Sequence, residues 1–259
     1  MYFNLLWKEF ATLPEIEAVA LGGSRAGADY DAKSDYDLYL YCTSIPNEPV
    51  RKRILEKCCQ CMEIGNAFWE LEDDCTLKDG TDIDILYRNI EDFSQTVRSV
   101  VEGHTAYNGY TTCMWHNLLH SRILYDKNGE LESLQNKYRI PYPDELRENI
   151  IRKNLRLLTG NLPSYDAQIR KAAARKDLVS VNHRTAAFLE SYFDIIFAMN
   201  KLTHPGEKRM VQYAKEQAEI LPKNFETNLD RLFQSIFVDS EKAAQTLEQM
   251  IAELKKVIK

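Results

Sequence analysis

The spacing of the hydrophobic residues changes near residue 90 of the chain. Before that point, short apolar runs bounded by glycine and proline are typical of strands. From Glu91 onward, apolar residues recur every three or four positions, which predicts helices at 91–102, 109–125, 144–160, 164–175, 179–200, 206–220, 224–236 and 239–258. The pattern therefore predicts an α+β fold, in which a small mixed sheet is followed by an all-helical bundle.

The first part of the chain combines strands with two helices. The predicted elements are a helix at 2–13, strands at 17–23 and 36–42, a helix at 51–64 closed by Gly65, and strands at 67–77 and 81–87. In the second strand Asp37, Tyr39 and Tyr41 alternate with apolar residues, which predicts one buried and one exposed face. Two prolines near residue 140 mark a boundary, so we expect domains at 1–139 and 140–259.

The composition is that of a soluble globular protein, with 44% hydrophobic and 28% charged residues. No apolar run approaches the roughly 20 residues that cross a bilayer, and charges come too early at the N-terminus for a secretory signal. We therefore expect a cytoplasmic protein without a membrane partner. The six cysteines lack the spacing of a disulfide framework and are interpreted as reduced thiols.

The charge balance argues against nucleic acid as a partner. Lysine and arginine number 33 against 39 acidic residues, which gives a net charge of -6. A protein that neutralises many phosphates usually presents a basic face. Basic residues do concentrate late in the chain, where they would suit a triphosphate or form an ordinary solvated helix face: Arg170, Lys171, Arg175, Lys176, Lys201, Lys208 and Arg209.

Residues 21–41 carry the most informative pattern. Here Gly22, Gly23 and Ser24 follow a strand, and the next strand carries Asp35 and Asp37. Glycines let the backbone approach a ligand closely, so that amides and the serine hydroxyl can face phosphate oxygens. Residues two apart on a strand share a face, and two adjacent carboxylates repel each other unless a cation lies between them. The pattern therefore predicts a magnesium site, since magnesium prefers oxygen ligands.

A third carboxylate is expected from the strand at 81–87. Asp82 and Asp84 lie on one face of that strand. Asp84 is flanked by Ile83 and Ile85 and is the favoured candidate, whereas Asp82 would solvate the end of the strand. A separate cluster of Cys113, His116 and His120 has helical spacing, but it lacks a fourth zinc ligand and favours packing.

The order of these residues resembles the nucleotidyltransferase superfamily, which includes DNA polymerase beta and the antibiotic nucleotidyltransferases. The resemblance rests on Gly23-Ser24, a spacer of ten residues, Asp35-Tyr36-Asp37, and the later Asp84. It extends to 118–131, which resembles the helix and turn after the catalytic sheet in antibiotic-type members. Residues 197–210 resemble the helical domain of a bacterial branch. The resemblance implies a catalytic domain at 1–139 and a helical substrate-binding domain at 140–259.

The resemblance also implies a mechanism. An acceptor hydroxyl attacks the α-phosphorus of an NTP, with ATP expected, and pyrophosphate leaves. Asp35 and Asp37 would hold magnesium, and Asp84 would either bind a second ion or take the hydroxyl proton. The implied nucleotide-binding residues are Gly22, Gly23, Ser24, Arg25, Lys201 and Lys208, of which the two lysines would neutralise the leaving pyrophosphate.

Three hypotheses about function remain open at this stage. The first is transfer of AMP to an antibiotic such as an aminoglycoside or a lincosamide, which the acidic composition suits when the acceptor is cationic. Glu70, Glu72, Asp73 and Asp74 would then form an acidic cleft, or else an ordinary solvated strand. The second is an antitoxin-like adenylyltransferase that modifies a protein partner. The third is a binding module without turnover. The resemblance also suggests a homodimer.

Overall fold

The structure, a computed structural model, describes residues 1–27, 34–68, 70–160 and 162–258. It divides into two compact units, the first comprising residues 1–98 and 114–140 and the second comprising 99–113 and 141–259. The first unit contains a mixed sheet and the second contains helices, so the predicted α+β class is confirmed. The assignment of catalysis to 1–139 and of substrate binding to 140–259 stays a prediction.

The first unit is built on a six-stranded sheet in the order β3-β4-β5-β2-β1-β6. Only the central β2–β5 pair is parallel, and the neighbouring pairs are antiparallel. Its elements are α1 (Tyr2–Phe10), β1 (Ile16–Gly22), α2 (Gly23–Ala26), β2 (Tyr36–Cys42), α3 (Glu48–Cys58), β3 (Cys59–Asn66), β4 (Glu72–Leu77), β5 (Asp82–Asn89), α4 (Ile90–Val101, whose end lies in the second unit), α5 (Cys113–His120), β6 (Arg122–Asp126) and α6 (Glu130–Tyr138).

One face of the sheet packs on α1 and α3. Alternate residues of the two central strands, such as Leu38 and Ile85, are fully buried there with Leu6 of α1 and Leu55 of α3. Their alternation follows from the two-residue period of a strand. The opposite face therefore receives Asp37 from β2 and the even-numbered residues of β5.

Two helix predictions in this unit are wrong in part. Residues 59–64 were expected to continue a helix from residue 51, yet they form β3 and pair with β4. The end of the predicted helix 109–125 likewise forms β6, which pairs with β1. In both places the sheet supplies backbone hydrogen bonds along a whole edge, and this tertiary pairing overrides the local helical spacing.

The second face of the sheet is also covered at one end, so the expected exposure of Tyr39 and Tyr41 is wrong. Both rings are buried. The Arg88 guanidinium lies 4.0 Å from the centre of the Tyr39 ring, and Phe93 of α4 meets the Tyr41 ring edge-on at 5.0 Å. Glu70 neutralises Arg88 through two hydrogen bonds of 2.6 and 2.9 Å. The covered end fixes β2 and β5 beside each other.

The second unit consists of helices around an aromatic core. The helices that follow residue 140 are α7 (Asp144–Leu158), α8 (Tyr165–Ala174), α9 (Leu178–Met199), α10 (Met210–Gln217), α11 (Phe225–Ser235) and α12 (Ser240–Val257). The α9 residues Phe188, Tyr192 and Phe193 are buried with Phe225 of α11. Among the described residues, every helix is too short or too polar to cross a lipid bilayer.

A buried carboxyl joins α9 to α7 and to the segment before α5. Asp194 is 1% exposed and accepts hydrogen bonds from the Thr111 amide (3.1 Å), the Thr111 hydroxyl (2.7 Å) and Asn154 Nδ2 (3.0 Å). Burial raises the pKa of Asp194 to about 7, although these donors oppose the shift. Because of this raised pKa, the stability of the protein changes with pH between the pKa of Asp194 in the unfolded state and its pKa in the folded state.

We expect the Asp194 carboxyl to stabilise the protein most at low pH. Below about pH 4 the group is protonated in both states, whereas between about pH 4 and 7 only the unfolded state releases the proton, so this contribution is lost as pH rises. Relative to Asp194→Asn, the free energy of unfolding of the native protein should fall by a few kcal/mol between pH 4 and 8. Urea unfolding at several pH values measures the difference.

The exposed Asp230→Asn on α11 is the matched control, and its difference from the native protein should not change in this way. A difference for Asp194→Asn that is constant between pH 4 and 8 would show that Asp194 titrates at the same pKa in both states.

Candidate active site

The centre of the sheet brings the motif residues into one row. Asp37 pairs with Gly22 across the antiparallel β1–β2 ladder and with Asp84 across the parallel β2–β5 ladder. Residues paired in this way point to the same face of a sheet. Asp37 and Asp84 are therefore neighbours on the face opposite the α1–α3 layer, beside the glycines at the end of β1.

Gly23 makes room for the carboxylate of Asp37. Its φ is +57°, and a Cβ built on Gly23 would overlap the carboxylate of Asp37. A side chain here would face both the unfavourable left-handed conformation and a direct collision. Gly22 has a similar requirement, because its Cβ would overlap the ring of Tyr39. The two glycines thus allow β1 and α2 to approach the carboxylate row closely.

Ser24 and Arg25 follow within α2, and Arg25 has partners away from the carboxylates. Its Nε donates a hydrogen bond of 2.7 Å to the carbonyl of Ser34, and its guanidinium lies 4.1 Å from the centre of the Tyr36 ring. Tyr36 in turn stacks on Phe3 at 4.0 Å. These contacts join the two ends of the glycine-containing segment. The nucleotide-binding role predicted for Arg25 stays a prediction, and residues 28–33 of the motif lie outside the described residues.

The two candidate acids on β5 differ in their surroundings. Asp84 lies beside Asp37 and is half-buried, whereas Asp82 is exposed and accepts a 2.8 Å hydrogen bond from the Thr76 hydroxyl. Asp35 lies just before β2, two residues from Asp37. The register therefore pairs Asp84, and not Asp82, with Asp37. The choice of Asp84 as the third carboxylate stays a prediction.

The acidic row continues beyond Asp84 towards the edge of the sheet. Asp74 of β4 pairs with Asp84, and Glu63 of β3 pairs with Asp74. The Asn66 amide donates hydrogen bonds to both outer carboxylates. Burial, with the nearby carboxylates of Asp74 and Glu70, raises the pKa of Glu72 on the same face of β4. Glu63 could not be predicted from its local pattern, because its segment was predicted to be helical.

The structure changes which residues could form the acidic cleft expected from Glu70, Glu72, Asp73 and Asp74. Asp73 is fully buried on the opposite face, where it is bound by Arg51, Tyr87 and the Gly65 amide. Glu70 is occupied by Arg88. Glu72 and Asp74 remain on the face that carries Asp37 and Asp84, because β4 alternates like every strand.

Comparisons with known proteins place this geometry in context. The family model described as "Domain of unknown function (DUF4037)" matches residues 111–210, less than half of the chain. No curated protein matches the chain.

The solved structures that are remotely similar to this chain include the following three. A nucleotidyltransferase-like protein from Exiguobacterium sibiricum is 10% identical, with a TM-score of 0.42, over 99% of this chain and 73% of that chain. An aminoglycoside 6-adenyltransferase from Bacillus subtilis is 11% identical, with a TM-score of 0.29, over 98% and 89%. The Thermotoga maritima CCA-adding enzyme, complexed with tRNA, is 10% identical, with a TM-score of 0.25, over 98% and 80%.

The resemblance to the nucleotidyltransferase superfamily therefore rests on Gly23-Ser24, the Asp-Tyr-Asp motif and Asp84. The structure confirms the mixed sheet followed by helices that the sequence predicts. The roles of the individual residues stay predictions.

The donor set of the row fits a magnesium ion. No group of three or more His, Cys, Asp or Glu side chains forms a ready metal cluster within the described residues. Magnesium, however, commonly takes only one or two protein carboxylates and completes its octahedron with substrate phosphates and water. The adjacent Asp37 and Asp84 supply hard oxygen donors. The Asp37 carboxylate occupies the space that a side chain at position 23 would fill.

The two lysines predicted to bind the nucleotide belong to the second unit. Lys201 has a φ of +55° and its Nζ lies 2.8 Å from Asp144 Oδ1, and this partner lowers the pKa of Asp144. Lys208 lies before α10 and is exposed. Their predicted action on pyrophosphate stays a prediction. In α5 the rings of His116 and His120 stack at 3.9 Å, as expected for packing.

Gly23→Ala tests the close approach of Gly23 to the Asp37 carboxylate. The added methyl group must displace the Asp37 carboxylate, and a shift of about 1 Å in a reacting group can lower a rate by about 10²-fold. The positive φ should also destabilise the protein by about 1 kcal/mol. Steady-state kinetics and urea unfolding measure the two effects. Gly80→Ala is the control for a positive φ (+87°) in open space, and it should change stability without changing the rate. Equal rates for Gly23→Ala and the native protein would contradict the assigned role.

Proposed function

We propose that this protein is a magnesium-dependent nucleotidyltransferase that moves a nucleoside monophosphate, AMP from ATP, to a hydroxyl of a small-molecule acceptor and releases pyrophosphate. The observation that carries the proposal is the lateral register of Asp37 and Asp84 beside Gly22. On one face of the sheet this register places two carboxylates, which could bind a metal ion, next to glycine backbone that could contact phosphate groups.

In the proposed reaction the acceptor oxygen attacks the α-phosphorus in line with the leaving group. A new P–O bond forms while the bond between the α-phosphorus and the oxygen that bridges to the β-phosphate breaks. Pyrophosphate leaves with that bonding pair. Asp84 either receives the proton of the hydroxyl as a general base or holds a second ion, and the two roles predict different pH and metal dependences.

The remaining residues bind and orient the nucleotide. Asp35 and Asp37 would hold magnesium, which when bound neutralises phosphate charge and polarises the reacting phosphoryl group. The amides of Gly22 and Gly23 and the hydroxyl of Ser24 would position the β- and γ-phosphates. Arg25 would keep the glycine segment in place through Ser34. Lys201 and Lys208 would neutralise pyrophosphate as it leaves.

The acidic row supports a cationic acceptor. Asp74 and Glu63 continue the carboxylates of the site in register towards the sheet edge. Burial, together with the carboxylates of Asp74 and Glu70, raises the pKa of Glu72 on the same face. A surface of this kind attracts amine-bearing molecules. An antibiotic of the aminoglycoside class, which carries both amines and hydroxyls, matches this chemistry better than a neutral acceptor, and antibiotic resistance would be the consequence. A cytoplasmic homodimer that does not bind nucleic acid completes the proposal.

The test is an acceptor screen by mass spectrometry. The protein is incubated with ATP and magnesium and with an aminoglycoside, a lincosamide or an uncharged polyol of similar size. We expect the aminoglycoside to gain the mass of one AMP, with pyrophosphate released in equal amount. Asp74→Asn/Glu63→Gln should raise KM for the cationic acceptor and leave KM for ATP unchanged. Transfer to the uncharged polyol at the same kcat/KM would contradict the acceptor class, and no nucleotide transfer to any acceptor would contradict the proposed small-molecule activity.

A further inference from the structure

The second unit contains a cleft that the proposed reaction does not use. Its volume is about 570 Å³, and it is formed by one face of α7, by residues 104–106 and by the turn at Leu162 and Pro163. This volume is within the range of small-molecule sites, about 300–1,000 Å³. All of the lining residues belong to the second unit, so the cleft is complete within that unit.

The α7 side of the cleft is strongly basic. Asn149, Arg152, Lys153 and Arg156 recur at the three- and four-residue spacing that places side chains on one face of a helix. Arg152 and Lys153 are exposed and take part in none of the ion pairs formed between residues that the structure describes. This arrangement is notable in a chain with a net charge of -6. Arg152 and Lys153 are adjacent cations that repel each other, and an anion in the cleft would relieve that repulsion.

Polar contacts hold the cationic wall in position. Asn149 Nδ2 donates a 2.9 Å hydrogen bond to the carbonyl of His104, and Arg152 donates to Asn149 Oδ1. His104 Nδ1 lies 3.1 Å from Glu145 Oε2, so this acid on α7 has a partner. The backbone of residue 104 and α7 are thereby fixed relative to each other, and the guanidinium of Arg152 has a defined position at the cleft.

Apolar side chains line the rest of the cleft. Leu157 lies on α7 itself, and Ala106, Leu162 and Pro163 contribute hydrocarbon surface from outside α7. A ligand that matches both kinds of surface carries a multiply charged anionic group and an apolar or aromatic portion. A phosphate monoester meets the first requirement better than a single carboxylate, because it carries more charge and accepts several charge-assisted hydrogen bonds at once.

We propose that this cleft is a binding site for a phosphorylated small molecule with an apolar or aromatic moiety. The phosphoryl group contacts Arg152, Lys153 and Arg156, and the apolar portion lies against Leu157 and Pro163. The site is separate from the carboxylate row of the first unit and does not depend on the proposed reaction. The phosphates of RNA offer the same charge, but a cleft of about 570 Å³ matches the size of a small molecule and not that of an extended RNA strand.

The test uses phenyl phosphate as the probe, with phenol and inorganic phosphate as the single-feature controls. Binding to the full chain is followed by ligand-observed NMR titration in EDTA, so that magnesium-dependent binding at the carboxylate row does not contribute. We expect phenyl phosphate to bind more tightly than either control. Arg152→Ala/Lys153→Ala should weaken that binding by about tenfold or more. Arg175→Ala/Lys176→Ala, which removes two exposed cations elsewhere in the unit, should leave it unchanged.

Three results would overturn the proposal. These are equal affinity of the native protein and Arg152→Ala/Lys153→Ala for phenyl phosphate, equal affinity for phenyl phosphate and inorganic phosphate, and displacement of phenyl phosphate by a single-stranded RNA oligonucleotide at a lower concentration than by phenyl phosphate itself. A folded variant is confirmed by an unchanged circular dichroism spectrum. Because Arg152 and Lys153 are exposed, their replacement is not expected to unfold α7.

Discussion

Asp37→Asn is expected to lower the rate of nucleotidyl transfer by at least about 10³-fold while the protein remains folded. Asp37 lies at the centre of the row, between Gly22 and Asp84, and its carboxylate lies against Gly23. Asparagine keeps the shape of the side chain but removes the charge that would hold magnesium. Initial rates of pyrophosphate release measure the loss, and the free energy of unfolding should change little, because Asp37 is not part of the buried core.

Asp82→Asn is the matched control for this prediction. Asp82 lies on the same strand face as Asp84, only two residues away, but it is exposed and bound by the Thr76 hydroxyl. Its replacement should change the rate less than about threefold, since a weak surface contact is all that is lost. If Asp82→Asn lowers the rate as much as Asp84→Asn, the assignment of the third carboxylate from the strand register is wrong.

Asp73→Ala is expected to lower the free energy of unfolding by about 3–5 kcal/mol. Asp73 is fully buried, with Arg51 Nη1 at 2.5 Å, the Tyr87 hydroxyl at 2.7 Å and the Gly65 amide at 2.9 Å. Burial raises the pKa of Asp73, while its three hydrogen bonds and the positive charge of Arg51 oppose that shift. Alanine leaves the nearly buried Arg51 guanidinium without its anion. Urea unfolding measures the difference.

The double variant Arg51→Met/Asp73→Leu separates the cost of an unpaired Arg51 charge from the cost of the lost hydrogen bonds. It removes both charges and replaces them with apolar side chains, so much of the lost stability should return. The Tyr87 hydroxyl and the Gly65 amide still lose a partner, and recovery should therefore be incomplete. A double variant that is less stable than Asp73→Ala would show that the orphaned Arg51 charge is not the main cost.

The parts of the fold that local patterns determine were predictable from sequence. Long apolar periodicities located α9 and α12, and the turn-forming Gly22-Gly23 located the end of β1. The segment 59–64 was not predictable, because its strand conformation depends on hydrogen bonds to β4, which follows it in the chain. Tyr39 and Tyr41 were expected to be exposed because alternation cannot reveal that α4 and Arg88 cover the second face.

The candidate site was likewise predictable from the sequence only in part. The Asp37–Gly23 contact and the choice of Asp84 over Asp82 both follow from the register of neighbouring strands, and only the residue types could be read from the sequence. Glu63 had no local signal. Asp73 was placed among the cleft acids because it lies between Glu72 and Asp74 in an acidic segment, although the alternation of a strand places Asp73 on the buried face.

Calorimetric titration of ATP into the native protein and into Asp37→Asn, each with and without magnesium, tests the central claim most directly. If the carboxylate row holds a magnesium–nucleotide complex, ATP binds the native protein with magnesium and binds much more weakly either without magnesium or to Asp37→Asn. GTP, CTP and UTP in the same titration rank the nucleotides. Equal binding of ATP to the native protein and to a folded Asp37→Asn, or binding that magnesium does not change, would contradict the claim.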